Sequence, residues 1–95
     1  MYPKINYLAQ AYFHQDYDLE ADSPIAIVSL FREREVFEVV EALSGEIFSI
    51  LASGADESRL ASIWLDEAGA CYDPREDGVS IQDWLSRVGE VLLRG

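Results

Sequence analysis

The feature that most constrains the fold of this chain is the spacing of its apolar residues, which follows the period of an α-helix along nearly its whole length. The first such stretch predicts a helix from about Pro3 to Phe13, with the proline in the first turn, where a missing amide hydrogen costs nothing. The pair Ser23–Pro24 has the form of an N-cap followed by a first-turn proline. It predicts a second helix that runs to about Arg32.

A longer apolar seam follows within the stretch REREVFEVVEALSGEIFSILASG. Its members alternate steps of four and three residues, which predicts a long third helix; they are Val36, Val40, Leu43, Ile47 and Ile50. Gly54 stands where a left-handed residue would end this helix. Gly45 in its interior costs about 1 kcal/mol relative to alanine, so we expect close packing or a slight kink there.

Two further helices complete the pattern. Asp56 is the predicted N-cap of a fourth helix that closes near Gly69, with Leu60, Ile63 and Trp64 on its buried side. The turn-forming stretch YDPREDG separates it from a fifth helix, which Ser80 caps. The buried stripe of that helix consists of Ile81, Trp84, Leu85, Val88 and Leu92. We therefore predict an all-α fold, a compact single-domain bundle of about five helices over residues 1–95.

The charge of the chain restricts its partners. Eighteen acidic residues face seven basic ones, giving a formal net charge of −11, while 49% hydrophobic residues argue against disorder. Residues 14–22 contribute −4 and residues 56–83 contribute −6, largely in predicted loops and helix ends. Such a charge disfavours nucleic acids and anionic membranes, and it favours rapid association with a basic partner.

The sequence also indicates where the protein resides. Its single cysteine excludes an internal disulfide, which suits a reducing compartment. The N-terminal stretch MYPKINYLAQAYF makes a poor signal peptide, and no apolar run approaches the length of a membrane span. We expect a cytoplasmic protein that is monomeric when free.

The alternating acids of the stretch DYDLEAD superficially resemble the start of a calcium-binding EF-hand loop. That loop requires glycine at its sixth position and glutamate at its twelfth, whereas this chain has Ala21 and Ile27 there. One histidine and one cysteine far apart do not have zinc-ligand spacing. We therefore predict no metal site and no cofactor.

His14 and Cys71 are the remaining candidates for catalysis. Acidic surroundings disfavour a reactive thiolate at Cys71, so we expect it to be a small, partly buried apolar residue. His14 follows the last turn of the first helix, where it can bond to exposed carbonyls. An alternative is a small hydrolase or metal-dependent enzyme that uses His14 with Asp16 or Asp18. A second alternative, based on the apolar content, is a helical module that associates with itself.

The stretch AYFHQDYDLE, followed by Ser-Pro and an apolar helix, resembles the CdiI-type immunity proteins of bacterial contact-dependent growth inhibition. The later stretch GACYDPREDGVSIQDWL is similar to the C-terminal signature of that family, through Tyr72, Asp73, Pro74, Gly78, Trp84 and Leu85. Tyr17 stands where many relatives have tryptophan. The second helix opens with IAIV, where acidic residues are common.

This resemblance implies a protein that performs no reaction. It would bind a cognate toxin domain and cover its active site, and the family resemblance and charge lead us to expect a basic nuclease such as a ribonuclease. We expect Tyr17 to be exposed among the acids and to act as an interface anchor. The predicted toxin-binding residues are Asp16, Tyr17, Asp18 and Glu20, with Asp66, Glu67, Asp73, Glu76 and Asp77 as a second group.

Overall fold

A computed structural model describes residues 2–94 of the chain. In this range the chain has no strand and five helices: α1 (Pro3–Tyr12), α2 (Pro24–Arg34), α3 (Phe37–Ala52), α4 (Glu57–Ala61) and α5 (Ile81–Leu93). Helix α4 continues directly into a π-helical turn, Ser62–Glu67. Short 3₁₀ turns, Tyr17–Leu19 and Pro74–Asp77, lie in the two long connections. The predicted all-α fold is confirmed.

The predicted helix caps are present. The side chains of Ser23, Asp56 and Ser80 accept backbone N–H groups three residues later, at 3.2, 2.8 and 3.0 Å. Each such cap contributes about 1 kcal/mol. Gly54 follows α3 with a φ of +77°, a conformation that glycine adopts without strain. These local signals fix the starts of α2, α4 and α5 and the end of α3.

Helix α5 lies at the centre of the bundle, where it packs against α2, α3 and α4, while α1 packs against α2 and α3. Every member of its predicted buried stripe is at most 7% exposed. The predicted face of the fourth helix is also buried, through Leu60, Ile63 and Trp64. No helix within residues 2–94 is long and apolar enough to cross a membrane.

Two glutamates bind the N-termini of neighbouring helices. Glu46 of α3 accepts the backbone N–H groups of Lys4 and Ile5 at 3.0 Å. Glu57 of α4 accepts those of Ile81 and Gln82. The first amides of a helix have no partner within it, and a carboxylate there also favours the positive end of the dipole. Part of the acidic excess therefore serves the fold.

The junction between α2 and α3 differs from the prediction. Helix α2 extends to Arg34, and Glu35 and Val36 are extended, with ψ values of 153° and 156°. Val36 is 62% exposed, so its predicted place in the buried seam is wrong. Glu35 accepts hydrogen bonds from the hydroxyls of Tyr7 and Tyr12, at 2.8 and 2.7 Å. These hydrogen bonds from α1 stabilise the turn between α2 and α3.

The outer face of α3 is apolar and exposed. Phe37 is 71% exposed and Phe48 is 46% exposed, and the helical spacing places Gly45 on the same face. No atom outside the neighbouring backbone lies within 4 Å of a Cβ placed on Gly45, so the predicted close packing there is wrong. We call the exposed side chains of Phe37 and Phe48 the α3 apolar face.

Candidate functional site

Two connections meet on one side of the bundle. Loop A, residues 13–23, joins α1 to α2, and loop B, residues 68–80, joins the π-helical turn to α5. The backbone N–H of Cys71 donates to the carbonyl of Phe13 at 2.8 Å. This hydrogen bond joins the start of loop A to loop B. Loop A and loop B contain the two acidic stretches that carry the resemblance.

A cluster of five aromatic rings lies beneath both loops and consists of Phe13, Tyr17, Trp64, Tyr72 and Trp84. The ring of Phe13, fully buried, lies 5.4 to 6.0 Å from each of the other four. The indole N–H of Trp64 donates to the carbonyl of Tyr72 at 2.8 Å. Aromatic pairs of this geometry add about 0.5–1.5 kcal/mol beyond burial. The cluster therefore holds the two loops in one arrangement.

The π-helical turn contributes to this arrangement. The N–H of Ala68 donates to the carbonyl of Ile63, five residues earlier, at 3.0 Å. Gly69, with a φ of +74°, then turns the chain into loop B. Such wide turns are rare and often occur at functional sites. No feature of the sequence distinguished this turn from an ordinary α-helix.

Tyr17 is half-buried rather than exposed, which corrects the prediction. Its ring lies 6.0 Å from Phe13 and 5.7 Å from Tyr72, so the loop folds the side chain inward. Burial, followed by the charges of Asp18, Asp77 and Glu76, raises the pKa of its hydroxyl. These carboxylates come from both loops, so Tyr17 marks the place where the two acidic stretches meet.

Tyr72 supports the same arrangement from loop B. Its hydroxyl donates to the carboxylate of Asp77 at 3.1 Å. Burial and this hydrogen bond raise the pKa of the Tyr72 hydroxyl. A cavity of about 180 Å³ lies between Asp77 and loop A. Asp18, Asp22 and Tyr17 of loop A also line it. We call Asp18, Asp22, Glu76 and Asp77 the acidic surface.

The other predicted residues are arranged differently. Glu20 approaches Arg34 at 4.0 Å, Glu67 pairs with Arg59, and Asp73 forms two side-chain hydrogen bonds to Arg75. The last contact lowers the pKa of Asp73. Asp66 lines a separate groove of about 490 Å³ with Glu57 and Arg75. Three of the nine predicted residues are therefore paired with arginines, and Asp66 lines a different cavity from Asp18 and Asp77.

Asp16 and His14 form a local turn. The ring Nδ1 of His14 accepts the backbone N–H of Asp16 at 3.1 Å, so the histidine accepts a hydrogen bond instead of donating to carbonyls.

Cys71 is exposed, and the prediction of partial burial is wrong because only its backbone is engaged with loop A. Within residues 2–94, no three histidine, cysteine or carboxylate side chains are arranged to hold a metal ion.

Two residues of the site are absent from the predicted toxin-binding residues. Leu19 lies in the 3₁₀ turn of loop A and is 80% exposed, so it presents an apolar side chain between acids. Asp22 was counted with the other acids of residues 14–22 as part of an acidic patch, and Ser23 rather than Asp22 caps α2. Leu19 adds apolar contact area to this acidic loop, although leucine is under-represented among the residues that dominate interface energies. In the sequence, only the position of Leu19 between Asp18 and Glu20 indicated that it could be exposed.

The comparisons with known proteins agree with the residues that suggested the family. A family model described as CdiI immunity protein matches residues 1–92. No curated protein sequence matches the chain significantly. One chain of the crystal structure of a CdiA-CT/CdiI complex from Y. kristensenii has the same fold, with a TM-score of 0.89 and 23% sequence identity. The match covers 96% of this chain and 97% of that one.

Proposed function

Because the chain belongs to the CdiI immunity protein family, we propose that it binds and neutralises the toxin domain of a contact-dependent growth inhibition system. The related fold in a CdiA-CT/CdiI complex supports a toxin as the partner. In this proposal the protein acts in the cytoplasm by binding alone and performs no reaction. It needs no cofactor, and it is a monomer until it meets the toxin.

The observation that carries this proposal is the joining of two acidic stretches at Tyr17. Asp18 and Asp22 of loop A and Glu76 and Asp77 of loop B have no ion-pair partner within residues 2–94. A group of unpaired carboxylates on one side of the protein creates a negative potential that attracts a basic partner. The acidic surface is therefore suited to a positively charged protein surface.

The charge also favours a nuclease as the toxin. An enzyme that cleaves RNA or DNA must attract phosphates, so its active-site cleft is basic. An acidic protein that covers this cleft competes directly with the nucleic acid. Opposite fields raise the association rate by roughly 10 to 10³-fold. Because the loops are held by the aromatic cluster before binding, little ordering entropy is lost.

The test is protection of cells that express the toxin domain encoded beside this protein. We expect wild-type protein to restore growth and to co-purify with the toxin domain. The His14→Ala variant should protect equally, since His14 only accepts a hydrogen bond from the next turn. Loss of protection in a folded His14→Ala variant would favour the enzyme alternative. If wild-type protein neither protected the cells nor formed a complex with the toxin domain, the proposal would be refuted.

A further inference from the structure

An apolar cleft lies between loop B and the start of α2. It is a cavity of about 300 Å³ whose walls include Pro24, Ile25, Tyr72, Val79 and Trp84. The side chains of Tyr72 and Trp84 are already covered by the protein, since these residues are 6% and 2% exposed. Pro24, Ile25 and Val79 are only half-buried and provide the accessible wall. We call this cavity the Val79 cleft.

The size of the Val79 cleft restricts what can enter it. Its volume is at the lower limit of ligand pockets, which measure about 300–1,000 Å³. A helix with its side chains is about 10–12 Å across and does not fit such a space. Covering the half-buried apolar wall removes carbon atoms from water, which is favourable. The cleft is therefore suited to a single apolar side chain.

The charged residues Asp77 and Arg87 also line the cleft. The Tyr72 hydroxyl donates to Asp77 at 3.1 Å. Burial and this hydrogen bond raise the pKa of the hydroxyl, and the charge of Arg87 lowers it in part, so Arg87 lies near the same ring. Unlike Asp77, Arg87 has no internal partner that holds its charge, since it forms no ion pair within residues 2–94.

The combination of an apolar wall and an unpaired guanidinium group selects among side chains. A basic side chain would lose its water against the apolar wall and would be repelled by Arg87. An aliphatic side chain would gain burial but no interaction with the guanidinium group. An aromatic ring gains both, because a cation is attracted to its face. Tyrosine and tryptophan are also enriched among the residues that dominate interface energies.

We propose that the Val79 cleft binds one aromatic side chain of the toxin, with the ring against Pro24, Ile25 and Val79 and its face towards Arg87. Asp77 belongs both to this cleft and to the acidic surface, so a toxin that covers the acidic surface also reaches the cleft. The inference rests on the proposed function, because the toxin supplies the ring. It goes further by assigning an apolar anchor beside the charges.

The direct test is an isotope-filtered NMR experiment on protein with labelled methyl groups, bound to the unlabelled toxin domain encoded beside it. The methyl groups of Ile25 and Val79 should show nuclear Overhauser effects to aromatic protons of the toxin. Leu93 is the control, because it is 63% exposed at the end of α5 and does not line the cleft. Its methyl groups should show no such effects.

Arg87→Gln separates the cleft from general electrostatics. Losing one positive charge makes the protein more negative, and attraction to a basic toxin alone would then strengthen binding. The loss of the contact with the ring should instead weaken it by about three- to thirtyfold. Arg94→Gln is the matched control, an exposed arginine of the same chain end without an ion pair within the described residues. It should bind as tightly as wild type or more tightly.

Val79→Ala tests the apolar wall itself. The two missing carbon atoms reduce the contact with the ring, so toxin binding should weaken by about three- to fifteenfold. Val36→Ala removes the same atoms from a side chain that is 62% exposed and lies outside the cleft. Calorimetric titration of both variants with the toxin domain should show less than about twofold change for Val36→Ala.

The outcomes distinguish the cleft from the proposed function. Suppose that wild-type protein binds the toxin but Ile25 and Val79 contact no aromatic protons, or that Arg87→Gln or Val79→Ala binds as tightly as its control. The cleft assignment is then wrong and the proposed function stands. If wild-type protein forms no complex with the toxin, both proposals fail.

Discussion

Replacing Asp18, Glu76 and Asp77 together by their amides is expected to weaken toxin binding by about 10³-fold, which corresponds to about 4 kcal/mol. The three carboxylates lie close to Tyr17, where loops A and B meet. Charge pairs across a protein interface contribute about 1.5–7 kcal/mol each, and the loss of one partner leaves the other charge unpaired. Much of the loss should appear as slower association, because the attraction acts over distance.

The matched control neutralises Glu33, Glu38 and Glu41, which are exposed and have no side-chain hydrogen bond or ion pair within residues 2–94. Each triple variant loses three negative charges from the formal net charge of −11, so the two variants have the same net charge. Stopped-flow association at low and moderate salt distinguishes them, since salt screens exposed charges. Equal losses in the two variants would mean that only net charge matters, and the acidic surface would then have no special role.

Phe13→Ala is expected to lower the free energy of unfolding by about 3–5 kcal/mol. The ring is fully buried and packs against four other aromatic rings, so its removal leaves a cavity beneath both loops. Since domains of this kind are stable by about 5–15 kcal/mol, the variant should remain folded but only marginally. Loops A and B would lose their common support, and toxin binding should weaken as well.

Phe37→Ala removes the same atoms from a side chain that is 71% exposed, so it should change stability by no more than about 0.5 kcal/mol. Urea unfolding of both variants, followed by tryptophan fluorescence, compares the two costs directly. A Phe13→Ala variant as stable as Phe37→Ala would show that the aromatic cluster does not support the loops.

Local chemistry made most of the helices predictable. Ser23, Asp56 and Ser80 cap helices in the structure as their positions indicated. The α5 stripe is buried as its spacing predicted, because a single apolar face determines how the helix packs. In contrast, no proline or glycine marks the break between α2 and α3 at Glu35. Glu35 instead accepts hydrogen bonds from two hydroxyls of α1, and such contacts with a distant helix cannot be seen in the local sequence.

The site was less predictable because its geometry depends on contacts distant in sequence. Tyr17 is drawn inward by Tyr72, a residue of the other loop. Glu46 and Glu57 look like surface acids in the sequence, but each binds the N-terminus of another helix. The sequence identified both acidic stretches, whereas tertiary contacts determine which carboxylates are paired internally. The exposure of Leu19 and the position of Asp22 beside the same cavity as Asp77 became visible only in the folded loop A.

Hydrogen exchange of the free and toxin-bound protein tests most directly whether loops A and B face the toxin. Binding slows the exchange of backbone amides that become covered or more firmly held. We expect slower exchange in residues 14–22 and 71–80, which contain the acidic surface, and little change along α3. Protection confined to the α3 apolar face, with both loops exchanging as in the free protein, would contradict this account.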